Sequence, residues 1–323
     1  MSIWAGSAIR EDRTVNCDVC VVGSGAGGAV VAERLAAAGK QVVVLEDGGF
    51  HPSDTFTLRE KDMYPRLYQE GGARGTVDRS IGILQGRAVG GSTVVNWTTC
   101  FRTPQRVLEH WAEHHGANAL ASSIEPHFAR VEERLHVEQV RLEQINLNNR
   151  VLWDGARALG YRVELLHRNV HRCLHTGYCG MGCPVDAKQS MLATFVPDAV
   201  KRGAEVYANA WVSNIESEGR RVVRAVAHMR DPRTDKLTGV KLRVEAKQFV
   251  LAGGAINTPA ILLRSEMNSN GRVGKRTYLH PTMLLLGVHE RRIDAFKGSP
   301  QYVGCSEFAQ RGDGKILGHD ICL

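Results

Sequence analysis

Residues 17–49 read CDVCVVGSGAGGAVVAERLAAAGKQVVVLEDGG, and this stretch decides the fold. Val21 and Val22 close an apolar run, the turn Gly23-Ser24-Gly25-Ala26-Gly27-Gly28 follows at once, and an alanine-rich helix begins. Val42 to Leu45 reads as a second buried strand, ended by Glu46. The unit is strand, turn, helix, strand, with G-x-G-x-x-G at the turn, where a dinucleotide-binding fold carries it. Gly23 permits the tight turn, Gly25 lets a pyrophosphate approach the backbone, and Gly28 lets helix and strand pack closely. Ser24 lies inside the same turn, and the free N–H groups of the helix N-terminus face the phosphates. Glu46 comes 18 residues after Gly28, where an acid accepts from a ribose 2′-hydroxyl and repels a 2′-phosphate. A glycine turn that binds nothing is the plainer explanation, and the flanking strand and helix weigh against it. Which nucleotide binds stays open on this stretch alone.

Outward from that unit, 323 residues suffice for a full core and for two domains, or for one domain with a large insertion. With 43% apolar and 23% charged residues, the composition is that of a globular protein. No apolar run approaches a bilayer span, and residues 1–16 have neither a sustained apolar core nor a cleavage site. A cytoplasmic location is expected, with peripheral membrane association as the alternative. The net charge of +7 is spread along the chain, which suits an anionic cofactor, an acidic redox partner or a membrane surface. No nucleic-acid module is present. Eight cysteines without a signal sequence argue against a disulfide framework. Cys17 and Cys20 straddle the first strand and read as core thiols.

Residues 47–80 are polar and interrupt the βαβ pattern, suggesting loops that wrap a cofactor or cover a site. Helices are expected after Thr103-Pro104 with Val107 and Trp111, from Ser122 or Ser123 with Phe128, Val131 and Leu135, and from about Asn148 to Leu159. His110, His114 and His115 read as exposed helix positions. Another helix is expected from Met191 to Arg202, then a strand at Ala204 to Tyr207. Further strands are expected at Trp211 to Ile215, Val222 to Met229 and Val240 to Ala246, the last two an antiparallel hairpin around Asp231-Pro232-Arg233. Phe249 to Leu251 is again a strand, leading through Gly253-Gly254 into a helix.

The run Cys173-Leu-His-Thr-Gly-Tyr-Cys179-Gly-Met-Gly-Cys183 has the spacing C-x5-C-x3-C within a glycine-rich loop, 171–184. Thiolates so placed suit an iron–sulfur cluster or zinc, the latter with His171 or His175 as a fourth ligand. A loop of free thiols is the alternative.

The segment Gly86-Arg87-Ala88-Val89-Gly90-Gly91-Ser92-Thr93-Val94-Val95-Asn96 resembles the first signature of the glucose–methanol–choline oxidoreductases, G-R-x-x-G-G-S-[ST]-x-x-N. Gly254 to Ser265 resembles their second, with Glu266 where glycine usually follows. The resemblance implies an α/β chain: a Rossmann-like FAD-binding domain over 1–281 with inserted helices and an antiparallel hairpin, and the start of a substrate domain over 282–323. It implies FAD held by Gly23, Ser24, Gly25, Gly28, Glu46, Arg87, Gly90, Gly91, Ser92, Asn96, Gly253 and Gly254, with the Val212 backbone at the adenine. Some members attach FAD through a histidine where Val95 stands here, so the flavin is expected to be non-covalent. The cysteine run, continuing into Ala187-Lys188-Gln189-Ser190, is similar to a branch acting on long-chain alcohols, sugars and sugar acids. Some bacterial members of that branch hold a three-iron cluster on such cysteines.

By the resemblance His280 is a turn residue near the cofactor. The base that takes the hydroxyl proton belongs to a later, terminal segment, and no stretch of 282–323 is similar to it. The expectation is a truncated FAD-dependent alcohol dehydrogenase or oxidase with no catalytic residue of its own. One chain of a split enzyme and a flavin-binding or electron-transfer module are the alternatives; a nicotinamide dehydrogenase would leave both signatures without a role. Expected partners are a small-molecule alcohol and oxygen, a quinone or an electron-acceptor protein.

Overall fold

The computed structural model describes residues 3–280 and 282–308, so Pro281 and the end of the expected substrate-domain start lie outside the described residues. The chain divides into two compact units. The first comprises Met1–Val95, Met181–Asp186 and Ser190–Leu285; the second comprises Asn96–Gly180, Ala187–Gln189 and Leu286–Leu323.

In the first unit the elements run β1 (Ile3–Trp4), β2 (Arg13–Val22), α1 (Ala26–Ala37), β3 (Val42–Leu45), α2 (Glu60–Leu67), α3 (Phe195–Lys201), β4 (Glu205–Tyr207), β5 (Ala210–Glu218), β6 (Arg221–Arg230), β7 (Leu237–Leu251) and α4 (Gly254–Arg264). The seven strands form one sheet in the order β1-β4-β3-β2-β7-β6-β5. Pairing is parallel from β1 through β7 and antiparallel from β7 to β6 and from β6 to β5. All four residues of β3 and Val19 to Val22 of β2 are buried, as strands covered on both faces require. Each such valine or leucine contributes about 1.5–3 kcal/mol by leaving water. On α1, Gly28, Ala29, Ala32 and Ala36 are buried, a stripe of small residues at helical spacing. Cys17 and Cys20 are buried core thiols, and burial pushes the Cys17 thiol up to about 11.

In the first unit three elements differ from the sequence reading, and in the second Ser122 and Ser123 end a helix rather than open one. Segments 240–246 and 249–251 are parts of one fifteen-residue strand, β7. Its polar middle misleads because Glu245 pairs with Asn16 of β2, and Lys247 reaches Asp18 at 2.7 Å. The polar excursion 47–80 contains α2, whose Met63 and Leu67 are buried with Phe56, Tyr68, Ala88, Val94 and Val95. Helix α3 begins at Phe195 rather than Met191, because the turn before it is tied elsewhere: Met191 N donates to Thr93 Oγ1 at 2.9 Å.

The second unit holds the helices Gln105–His115, Asn118–Ser123, Glu125–Arg134 and Leu147–Ala158. Asn146 caps the last, its side chain accepting from Asn149 N at 2.9 Å, and Gly116 ends the first at φ +67°. Thr99–Cys100, His167–Asn169 and Val137–Gln139 make a three-stranded sheet. Val303–Cys305 pairs antiparallel with Val163–Leu165. These units cut the chain differently from the boundary expected at 281: residues 96–180 group with 286 onward. The buried Asn149 side chain is one reason, accepting from Tyr302 N at 2.8 Å and Val303 N at 3.1 Å.

Candidate functional site

Because β3, β2 and β7 run parallel, their carboxyl ends open on one edge of the sheet, where a doubly wound fold binds its ligand. The first unit has a cavity of about 940 Å³ there, lined by Gly23 and Gly25 to Gly27 after β2, Glu46 and Asp47 after β3, and Ala252 to Gly254 after β7. Segments 85–87 and 91–93 and the start of β5 complete much of the wall.

Bare backbone makes this space. Gly23 stands at φ +102°, and a Cβ on it would lie 2.4 Å from Ala252 O. A Cβ on Gly28 would lie 1.9 Å from Gly23 O, so α1 starts where it does only because residue 28 has no side chain. A Cβ on Gly91 would come 2.7 Å from Gly25 Cα, which brings the second turn backbone-to-backbone against the first.

Ser24 is the joint of the site. Its Oγ donates to Glu46 Oε2 at 2.7 Å and accepts from Gly90 N at 2.9 Å, while its N–H donates to the same Oε2 at 2.9 Å. Gly48 N donates to Glu46 Oε1 at 2.9 Å. Burial raises the Glu46 carboxyl above its ordinary range against these three hydrogen bonds. Within the second turn, Ser92 Oγ accepts from Gly86 N at 2.9 Å and Thr93 Oγ1 donates to Gly90 O at 2.6 Å.

Of the residues expected at the cofactor, Gly23, Gly25, Glu46, Arg87, Gly91, Ser92, Val212, Gly253 and Gly254 line the cavity. Ser24, Gly28 and Gly90 stand behind it as framework. Asn96 falls in the second unit, where its carbonyl accepts from Lys188 Nζ at 2.6 Å. The Val212 carbonyl accepts from Arg264 Nη2 at 3.1 Å. Val95 is buried in an apolar cluster. His280, His114 and His115 are exposed; His110 is half-buried and stacked on His114 at 4.3 Å.

Sequence reasoning missed two polar clusters on the cavity wall. Asp47 holds Arg87 at 3.0 Å and Arg230 at 2.8 Å, and Arg87 also grips Asp235 from the β6–β7 turn. Burial pulls the Arg87 guanidinium down, but Asp235 and Asp47 outweigh it and leave it above its usual value. Arg74 donates to Gln85 Oε1 at 2.8 Å and Asn257 Oδ1 at 3.0 Å. Arg87 was expected from the signature, but its partners were not, and a lone arginine in a polar stretch such as Arg74 carries no periodic signal.

The three cysteines are not gathered as a metal site: among the described residues no group of three or more His, Cys, Asp or Glu is so arranged. Cys173 and Cys179 belong to the second unit and Cys183 to the first. Cys173 Sγ accepts from His175 N at 3.4 Å and Cys179 Sγ from Arg168 Nη2 at 3.7 Å. No helix among the described residues is long and apolar enough to cross a membrane.

Known proteins resemble this chain in sequence and in fold. The chain is 36% identical over 303 residues to an uncharacterized GMC-type oxidoreductase of Mycobacterium tuberculosis, covering 93% of this chain and 47% of that protein. It is 34% identical over 293 residues to a long-chain-alcohol oxidase of Arabidopsis thaliana, covering 88% of this chain and 38% of that protein. The chain thus spans about half or less of these curated relatives. Among solved structures, pyridoxine 4-oxidase from "Mesorbium loti" superposes with a TM-score of 0.58 at 19% identity, covering 77% of this chain and 52% of that one. A formate oxidase of Aspergillus oryzae, in a study of its FAD modification, superposes with a TM-score of 0.55 at 15% identity, covering 79% and 48%. Both show a shared fold. The profile of the GMC oxidoreductases matches residues 64–282, across both glycine signatures, and the chain belongs to that family.

Proposed function

We propose that the cavity of the first unit holds FAD non-covalently, as part of an oxidoreductase that acts on the CH–OH group of an alcohol donor. The observation that carries this reading is the convergence of three glycine turns and one buried acid, Glu46, around a single cavity. The fit is chemical as well as spatial. Glu46 Oε2 already accepts twice, from Ser24 N and Oγ, and Oε1 once, which leaves one acceptor position for a ribose hydroxyl. Gly25 is open on its cavity side, since a Cβ there would meet only Gly91 Cα at 3.8 Å. Residues Gly23 to Gly27 would cradle the pyrophosphate at the start of α1. When bound, the flavin supplies the hydride acceptor. Val95, buried among apolar side chains, offers no nucleophile for covalent attachment.

The relatives named for long-chain-alcohol oxidation support an alcohol donor. No histidine lines the cavity, so we assign the proton-taking role to no residue described. That observation favours a second reading, a flavin-binding unit whose base lies outside the described residues.

Purified protein is expected to be yellow, with flavin absorption bands. Acid precipitation should release FAD, identified by mass, into the supernatant. A folded, colourless protein that takes up no added FAD would overturn the cofactor reading. Flavin retained on the precipitate would overturn non-covalent binding.

A further inference from the structure

The turn between β6 and β7 is fastened to the cavity wall by charges that lie 148 positions apart in the chain. Within the turn, Asp231 Oδ1 accepts from Arg233 N at 2.9 Å and from Thr234 N at 2.7 Å, and Asp235 N donates to Asp231 O at 2.8 Å. Asp235 stands at φ +59°, in the left-handed region that aspartate and asparagine tolerate better than other side chains. Its carboxylate takes both terminal nitrogens of Arg87: Oδ2 accepts from Nη1 at 2.8 Å, and Oδ1 accepts from Nη2. The main chain is held as well, Asp235 O accepting from Arg230 Nη1 at 3.0 Å.

One carboxylate would not serve this wall. Asp47 meets two guanidiniums, Arg87 Nε at 3.0 Å and Arg230 Nε at 2.8 Å, and the Arg87 side chain is only 12% exposed. A guanidinium so covered needs a paired acid of its own, and Asp235 supplies it. All four residues line the cavity. Asp47 directly follows Glu46, and the Arg230 guanidinium stands 5.7 Å from the ring centre of Trp211, which lines the cavity too. The fastened turn is therefore at the end of the cavity that holds the ribose in the proposed reading. Asp47 is largely covered, whereas the Asp235 side chain is 56% exposed, so the outer pair is the one that water and salt can open.

We propose that Asp235 is a positioning residue of the nucleotide site: through Arg87 it straps the β6–β7 turn over the ribose end of the cavity and slows the escape of bound nucleotide. The inference rests on the reading that the cavity holds FAD. Opening the pair leaves Asp47 alone with two guanidiniums, frees the fork of Arg87 and lets the turn move outward. Glu46 and the glycine turns are untouched by that opening, so the effect falls on the rate of release.

The test follows FAD-loaded protein after dilution. Rapid desalting at timed intervals, with flavin absorption read on the protein fraction, gives the release rate. Asp235→Asn keeps the left-handed turn and removes the charge, and it should speed release about threefold to fivefold. Asp235→Lys sets a cation against Arg87 and should speed it about tenfold or more. In the unaltered protein, release should quicken about threefold between about 0.05 M and about 1 M sodium chloride, while Asp235→Asn should hardly respond to salt. Arg233→Gln, a charge change on the same turn, should stay within about twofold of the unaltered rate. Release from Asp235→Asn at the unaltered rate would overturn the strap and leave the cofactor reading standing. Equal acceleration by Arg233→Gln would also overturn it, since the net charge of the turn would then set the rate. A folded protein that takes up no FAD would overturn both.

Discussion

The two units fill their interiors by opposite means. Around the cavity of the first, backbone meets backbone because side chains are missing: Gly23, Gly28 and Gly91 sit where a single methyl would strike main-chain atoms. In the second, large polar side chains do the joining. Asn149 is 2% exposed and binds two backbone N–H groups and two oxygens, and Arg168 is buried against Tyr302. A site built from absences is intolerant of additions. An interior built from polar side chains is intolerant of subtraction, since each lost partner leaves a buried group without a hydrogen bond.

Adjacent glycines break this comparison most sharply. Gly28→Ala places a methyl 1.9 Å from Gly23 O, and neither partner is a flexible side-chain end. Chemical denaturation should show a loss of about 3 kcal/mol or more. Gly27→Ala meets nothing within 4 Å and should leave stability unchanged or raise it by up to about 1 kcal/mol. Similar effects at both positions would mean that close approach is not what constrains the turn.

For the second unit the matching subtraction is Asn149→Ala. It strands Tyr302 N and Val303 N, and the unfolding free energy should fall by about 2–3 kcal/mol. A loss below about 0.5 kcal/mol would show that water replaces the amide there.

The smallest effect belongs to Asp235→Asn, at the rim of the cavity. Its side chain is 56% exposed, so the pair with Arg87 is screened and worth less than about 1 kcal/mol. The Arg87 guanidinium holds the Asp235 carboxyl below its ordinary value. A depressed carboxyl contributes stability above its unfolded pKa of about 3.9, and that contribution disappears as pH falls through the lower folded value. Melting curves of the two proteins should therefore differ at neutral pH in low salt and converge in acid or high salt.

How much of this was readable depended on which means a region uses. The βαβ unit, its two valine-rich strands and the glycine turns stood out because burial on both faces and close approach leave composition no freedom. Glu46 was readable by its distance from the turn, whereas Ser24 hid in plain view: nothing in a serine between glycines says that it clasps Glu46 and Gly90. Helix α2 escaped because two buried residues, Met63 and Leu67, hold it to the core while its other positions are polar. The polar centre of β7 concealed a continuous strand because its partner residues on β2 are polar too. The Asp47–Arg87–Asp235 group joins positions far apart in the chain, and such pairings have no local signature.

One feature of the sheet bears on how the chain is made. The pairing of β2 with β7 brings together residues separated by 229 positions, as between Asp18 and Lys247. A chain emerging from the ribosome therefore presents Val19 to Val22 long before their partner on that side exists. That apolar edge can meanwhile pair with other chains. Loop closure over such a span also slows folding. Folding in the cell would thus hinge on sheltering one short valine run until the last strand of the sheet has been synthesised.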